Sequence, residues 1–114
     1  MVLTVDFTLA GTGFQILAGG PADFHFNESV SFMVDCADQA EVDRLWDALT
    51  ADGGKPGPCG WLQDRYGVSW QIVPQRLSEL IADPDPGRAR RATQAMLQMG
   101  KIDIAELERA AAGD

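Results

Sequence analysis

Cys59-Gly60-Trp61-Leu62-Gln63-Asp64-Arg65-Tyr66-Gly67-Val68-Ser69-Trp70-Gln71-Ile72-Val73-Pro74 is the stretch whose reading decides the fold. Gly60 to Gln63 reads as a short strand. Asp64-Arg65-Tyr66-Gly67 reads as a turn, with Gly67 suited to a positive φ. Val68 to Val73 is the return strand, and Pro74 ends it because it cannot donate to a ladder. Trp61 and Trp70 fall on the two strands and are expected to face each other across the hairpin. Trp61, preceded by glycine and proline, is the tryptophan expected in a cavity wall.

Upstream, a helix starts at Asp38, with Glu41 three residues later in the manner of a capping box. Val42, Leu45, Trp46 and Leu49 fall at i, i+3, i+4 and i+7, one apolar stripe, so Trp46 is expected in the core. Gly53-Gly54 stops the helix, and Lys55 to Cys59 reads as a Pro/Gly loop. Before the helix, Ser29 to Cys36 reads as a strand, with Val30, Phe32 and Val34 alternating against Ser29, Ser31 and Met33. Further back, Ala22 to Asn27 reads as a loop carrying Phe24, His25 and Phe26. Val2 to Leu9 and Phe14 to Ala18 read as a hairpin turned at Gly11-Thr12-Gly13, with Leu3, Val5, Phe7 and Leu9 on one apolar face.

Downstream, the pattern becomes helical. Leu77 to Ile81 reads as a short helix, interrupted by Asp83-Pro84-Asp85-Pro86. Asp85 is placed to cap a helix with Pro86 at its first position. Ala89, Ala92, Met96 and Met99 line one side of that helix. Asp103 caps a last helix, with Glu106 three residues on. Arg88, Arg90 and Arg91 are expected to pair with Asp83, Asp85 and nearby carboxylates. Met96, Leu97 and Met99 are expected to pack the tail against the sheet or a partner subunit.

The 114 residues are one domain's worth, and their 46% hydrophobic content fits a globular chain. A formal charge of −8 would be repelled by a phosphate backbone and by an anionic membrane surface, so neither is an expected partner. No apolar run is long enough to span a bilayer. No basic stretch followed by an apolar run marks a secretory leader, so the cytoplasm is the expected compartment. Cys36 and Cys59 are too few for a disulfide scaffold or a zinc pattern and are read as structural thiols.

The 59–74 stretch resembles the PhnB-like signature of the vicinal-oxygen-chelate superfamily, which includes glyoxalase, bleomycin-resistance proteins and dioxygenases. Gly19-Gly20-Pro21, Ser29-Val30-Ser31-Phe32, Asp35-Cys36-Ala37-Asp38 and the tail Ala95-Met96-Leu97-Gln98-Met99-Gly100-Lys101-Ile102-Asp103 resemble it too. The resemblance implies an α+β fold in which paired βαβββ modules form a cupped sheet around a ligand cavity. Residues 29–74 correspond to the second module, 1–18 to the closing hairpin of an incomplete first module, and 76–112 to a helical C-terminal tail, all in a single domain. The first module's opening strand, helix and next strand have no counterpart here. An uncovered hairpin face and an open sheet edge then favour a homodimer, with or without exchanged elements.

In metal-dependent members of the superfamily, ligands come from the first and last strands of each module. Carried over, those positions fall near Ser29, on Gln71 and on Gln15. Ser29 is a poor ligand and Gln71 a neutral one, so no complete metal centre is expected, although a divalent metal is the cofactor the superfamily would imply. His25 stands alone, without the companions a metal needs, and is read as a cavity-wall or surface residue, imidazole being a side chain able to take part in proton transfer. The ligand-cavity candidates are therefore Gln71, Trp61, Gln15, Ser29 and His25, with no catalytic residue assigned. The resemblance also brings a 3-demethylubiquinone methyltransferase label. The residues do not carry that chemistry: Gly11-Thr12-Gly13 joins two strands and Gly19-Gly20 precedes a loop, whereas the usual cofactor cradle is a glycine-rich turn from strand to helix. The expected function is small-molecule binding without established catalysis. Its rival is a divalent-metal-dependent lyase, isomerase or dioxygenase with a site assembled across a homodimer.

Overall fold

A computed structural model describes residues 2–114. The N-terminal hairpin pairs β1 (Thr4–Leu9) with β2 (Thr12–Leu17), antiparallel, from Thr4 opposite Leu17 to Leu9 opposite Thr12. The turn is Ala10-Gly11 rather than Gly11-Thr12-Gly13. Both residues have positive φ, 50° and 82°, as in the two-residue loops whose twist matches that of the flanking strands. Thr12 and Gly13 are thereby drawn into the ladder. Ala10 accepts a left-handed conformation at a cost of about 1 kcal/mol.

The second sheet has the order β3-β6-β5-β4, built from β3 (Ser31–Cys36), β4 (Lys55–Pro56), β5 (Trp61–Gln63) and β6 (Ser69–Pro74). β3 and β6 are parallel and the other pairs antiparallel. Helix α1 (Gln39–Thr50) makes the crossover, so the unit is β-α-β-β-β. β3 starts at Ser31 rather than Ser29 because the Asn27 side chain accepts from the backbone and hydroxyl of Ser29, holding that segment in a turn. Lys55-Pro56, expected as loop, adds a two-residue edge strand. Asp38 caps α1, accepting from the Glu41 amide, while the Glu41 carboxylate accepts from the Ala37 amide.

Alternation separates the two faces. Phe32, Val34, Cys36, Trp70, Ile72 and Leu62 face α1, where Val42 and Trp46 complete a buried cluster. Ser31, Met33, Gln71, Ser69, Trp61 and Gln63 lie on the opposite face. Trp61 pairs with Gln71, and Trp70 pairs with Leu62. The two tryptophans therefore sit on opposite faces rather than facing each other, because their strands meet one residue out of the assumed register.

Val73, also on the face away from α1, packs against a second core made by the tail. The tail comprises α2 (Gln75–Ile81), α3 (Pro86–Met96) and α4 (Ile104–Ala112), and it buries Leu77, Leu80, Ala92, Ile102, Leu107 and Ala111. Asp85 and Asp103 cap α3 and α4. Met96 and Met99 pack on this core, whereas Leu97 points to solvent, one step off the apolar stripe. Arg88 pairs with Asp83. Arg91 instead donates to the carbonyls of Ala110 and Ala111, capping the end of α4. Arg76 bridges α2 to α4 through Glu108. No helix among the described residues is long and apolar enough to cross a membrane.

The molecule measures 59 × 27 × 22 Å, with a radius of gyration of 17.0 Å, against roughly 13 Å for a compact chain of this length. The excess comes from the hairpin. All its strand residues except Phe14 are exposed. It meets the second sheet through an aromatic series in which Phe7 stacks on Phe14, Phe14 meets the edge of Phe32, and Phe32 lies against Trp70.

The two buried clusters carry most of the stability. Leu107→Ala, at the centre of the tail core, is expected to lower the unfolding free energy by about 2–5 kcal/mol, measurable by urea denaturation.

Candidate functional site

The face of the second sheet away from α1 carries a cavity of about 540 Å³, within the usual range for small-molecule sites. Trp61, Gln63 and Ser69 supply its sheet wall, Pro56 and Pro58 its rim, and Lys55 and Glu28 its charges. The lining is mostly apolar, with few polar groups.

The rim is fixed by backbone hydrogen bonds. The Gly57 amide donates to the Trp61 carbonyl at 2.8 Å, and the Trp61 amide donates to Pro58 at 3.0 Å. Cys59 and Gly60 both have positive φ, 57° and 84°. That pair of left-handed residues is held by the tail: the amides of Cys59 and Gly60 donate to the carbonyls of Met99 and Gly100, each at 2.8 Å. The Gln39 side chain adds a second tie, donating to the Ile102 carbonyl and accepting from the Ile104 amide. The Lys101 ammonium pairs with Asp43 at 2.9 Å, which raises the lysine pKa and lowers that of the carboxyl through their mutual hydrogen bond, with the Gln39 contact acting first on Asp43. Proline and glycine spacing marks the rim as a loop. Nothing in the local sequence indicates that residues 99–102 hold it.

The five candidate residues occupy four places. Trp61 is in the cavity wall. Gln71 lies beside it on the same face, but its amide donates to the Ser31 hydroxyl at 2.9 Å and it is not part of the cavity lining. Ser29 and His25 line a separate hollow of about 340 Å³, with Phe26, Val30 and Phe32. Gln15 is on the hairpin, donating to the Asp6 carboxylate at 2.8 Å. Glu28, Lys55, Gln63 and Ser69 are the polar cavity residues that sequence reasoning missed. Lys55 was legible only as part of a loop, and its place beside Gln63 depends on the β4–β5 pairing. Among the described residues, no group of three or more His, Cys, Asp or Glu side chains converges as a metal would need.

Asp64 organises the β5–β6 turn. It accepts from the amides of Tyr66 and Val68 and from the Trp70 indole N–H at 2.9 Å. Trp70 is thereby committed to structure. Both cysteines are unpaired with each other. Cys36 is buried, and burial, aided by the Glu41 and Asp35 charges, pushes its thiol up to about 11.

The family model described as 3-demethylubiquinone-9 3-methyltransferase matches residues 1–73, the hairpin and the β-α-β-β-β unit without the tail helices. Among solved structures, a Bacillus cereus PhnB protein that carries the same methyltransferase label is 29% identical, with a TM-score of 0.56 over 63% of this chain and 64% of that one. Protein PA1353 from Pseudomonas aeruginosa shares the fold at 19% identity, with a TM-score of 0.50 over 64% of this chain and 62% of that one. The chain thus spans a little under two thirds of the length of each. No curated protein matches it.

Two outcomes follow from the rim and the thiols. Gly60→Ala would place a Cβ 3.0 Å from the Ile72 carbonyl and 3.2 Å from Ile102, at a φ that favours glycine. It is expected to cost about 1–3 kcal/mol, read by thermal or urea unfolding. At neutral pH, a thiol reagent is expected to modify Cys59 well before Cys36, since the thiolate is the reactive form; peptide mapping by mass spectrometry after brief alkylation reports the order.

Proposed function

We propose, from the premise that this chain belongs to the PhnB-like family labelled 3-demethylubiquinone-9 3-methyltransferase, that it is a cytoplasmic small-molecule-binding domain of the vicinal-oxygen-chelate superfamily. The observation that carries the reading is the Trp61 cavity: apolar walls, a few polar groups and a rim held by backbone hydrogen bonds. Small-molecule sites are commonly built this way. The methyltransferase label finds no matching cofactor cradle. The step from β3 into α1 runs through Ala37-Asp38 without glycine, and Gly11 turns a hairpin. Two unpaired thiols suit a reducing compartment.

The working form in this reading is a homodimer. Val5, Phe7, Leu9 and Ile16 share one face of the hairpin and are 40–54% exposed. β3 also offers a free edge, since among the described residues its only strand partner is β6. Such a face and such an edge are usually covered, and a second copy would cover both. The rival is a divalent-metal-dependent lyase, isomerase or dioxygenase whose ligands come from two copies. No convergence of ligands within one copy supports it among the described residues.

Native mass spectrometry tests both. A metal-free species at twice the 12.3 kDa chain mass is expected. A dimer with stoichiometric metal would favour the enzyme, and a monomer at micromolar concentration would remove the dimer. Phe7→Glu should shift the dimer to monomer if the hairpin face is the interface.

A further inference from the structure

Lys55 is one of nine Lys and Arg residues in a chain with seventeen Asp and Glu. In such a chain a cation usually finds a carboxylate. Arg65, Arg76, Arg88, Lys101 and Arg109 do; Arg44, Arg90 and Arg91 do not among the described residues, Arg91 capping α4 instead, and of the cations without a carboxylate it is Lys55 that lines the cavity. Lys55 forms no salt bridge among the described residues, although Glu28 lines the same cavity. Its place is set by the sheet. Lys55 pairs with Gln63 on the β4–β5 ladder, and Gln63 lies two residues from Trp61. All three therefore share the cavity face. The ammonium is thus an unpaired cation at one end of an apolar hollow whose wall is an indole ring. Glu28 sits in the loop before β3, and as one of many carboxylates it singles out no ligand.

Resting on the cavity reading above, we propose that the Trp61 cavity takes small aromatic carboxylates, the ring lying against Trp61 between the Pro56 and Pro58 walls and the carboxylate meeting the Lys55 ammonium. Offset stacking suits an aromatic ring on an indole. A charge-assisted hydrogen bond at the edge of an apolar site is stronger than a neutral one. The net charge of −8 does not oppose this at contact distance, because screening at physiological salt confines distant charges to about 8 Å. Glu28 makes the opposite choice, an aromatic ammonium, the competitor the experiment must separate.

The test is a titration followed by the indole N–H signals in a ¹H–¹⁵N correlation spectrum of the intact chain, with the Trp61 signal assigned by its loss in Trp61→Phe. The probes are 2-naphthoate, neutral 2-naphthol and 2-naphthylmethylammonium, all at pH 7. Saturable movement of the Trp61 signal is expected, with naphthoate binding about tenfold more tightly than naphthol. Lys55→Met should remove that difference, bringing naphthoate and naphthol to the same affinity. Lys55 is exposed, so the variant's spectrum otherwise reports an intact fold. Equal binding of naphthoate and naphthol, tighter binding of the ammonium, or no effect of Lys55→Met would overturn the carboxylate assignment while leaving the cavity in place. No movement of Trp61 with any of the three would take the cavity reading down with it.

Discussion

Gly60 is hydrogen-bonded on both sides. Its carbonyl accepts from the Ile72 amide on β6, and its own amide donates to the Gly100 carbonyl at the end of the tail, each at 2.8 Å. The sheet, the rim loop and the tail therefore meet at one residue. That residue must be left-handed, at φ 84°, and must lack a Cβ, because the Ile72 carbonyl and the Ile102 side chain occupy the space. The neighbouring Cys59 is carried into the same left-handed region and donates to Met99. The cavity rim, the position of Trp61 at its foot and the seating of the tail core on Val73 all follow from this junction. The rim lies between two buried cores, one under α1 that includes Leu62 and one in the tail that includes Ile102.

The hairpin has the reverse character. Its ladder is regular and its turn has the geometry that strand twist prefers, yet it buries almost nothing. An isolated two-stranded ribbon is at best marginally stable in water. Here it is tethered to the second sheet by aromatic contacts from Phe14 through Phe32 to Trp70. The apolar face left open is where a second copy is proposed. The Trp61 cavity lies elsewhere, on the other face of the β-α-β-β-β unit, so the proposed interface and the proposed ligand site draw on different residues. The cavity lining contains no residue of β1 or β2.

Much of this architecture is written locally. The apolar stripe Val42, Leu45, Trp46 and Leu49, with Asp38 and Glu41 at its head, specifies α1 because capping and 3.6-residue periodicity act within one turn of helix. Asp85-Pro86 and Asp103 to Glu106 mark the tail helices for the same reason. Asp64 and Gly67 mark the β5–β6 turn. The long signature from Cys59 to Pro74 pointed to the family that the model match then bore out. In two places local reading failed because strand register, not residue type, decides which positions meet. The hairpin turn moved by one residue once the ladder chose Ala10-Gly11, and Trp61 and Trp70 separated to opposite faces because a one-residue register change reverses every side chain.

The sequence by itself determined the α+β class, the strand-helix-hairpin order around α1, the helical tail and the presence of Trp61 beside a Pro/Gly rim. Each of these rests on periodicity, capping or turn chemistry, whose range is a few residues. Tertiary structure alone decided which residues share a cavity. It brought Lys55 to Gln63 through a two-residue edge strand and placed Met99 and Gly100 under the rim. It also left Gln71 bonded to Ser31, Gln15 out on the hairpin, and His25 with Ser29 in a separate hollow. Those juxtapositions depend on strand register and on the seating of one core against another, and both are fixed by contacts between residues far apart in the chain.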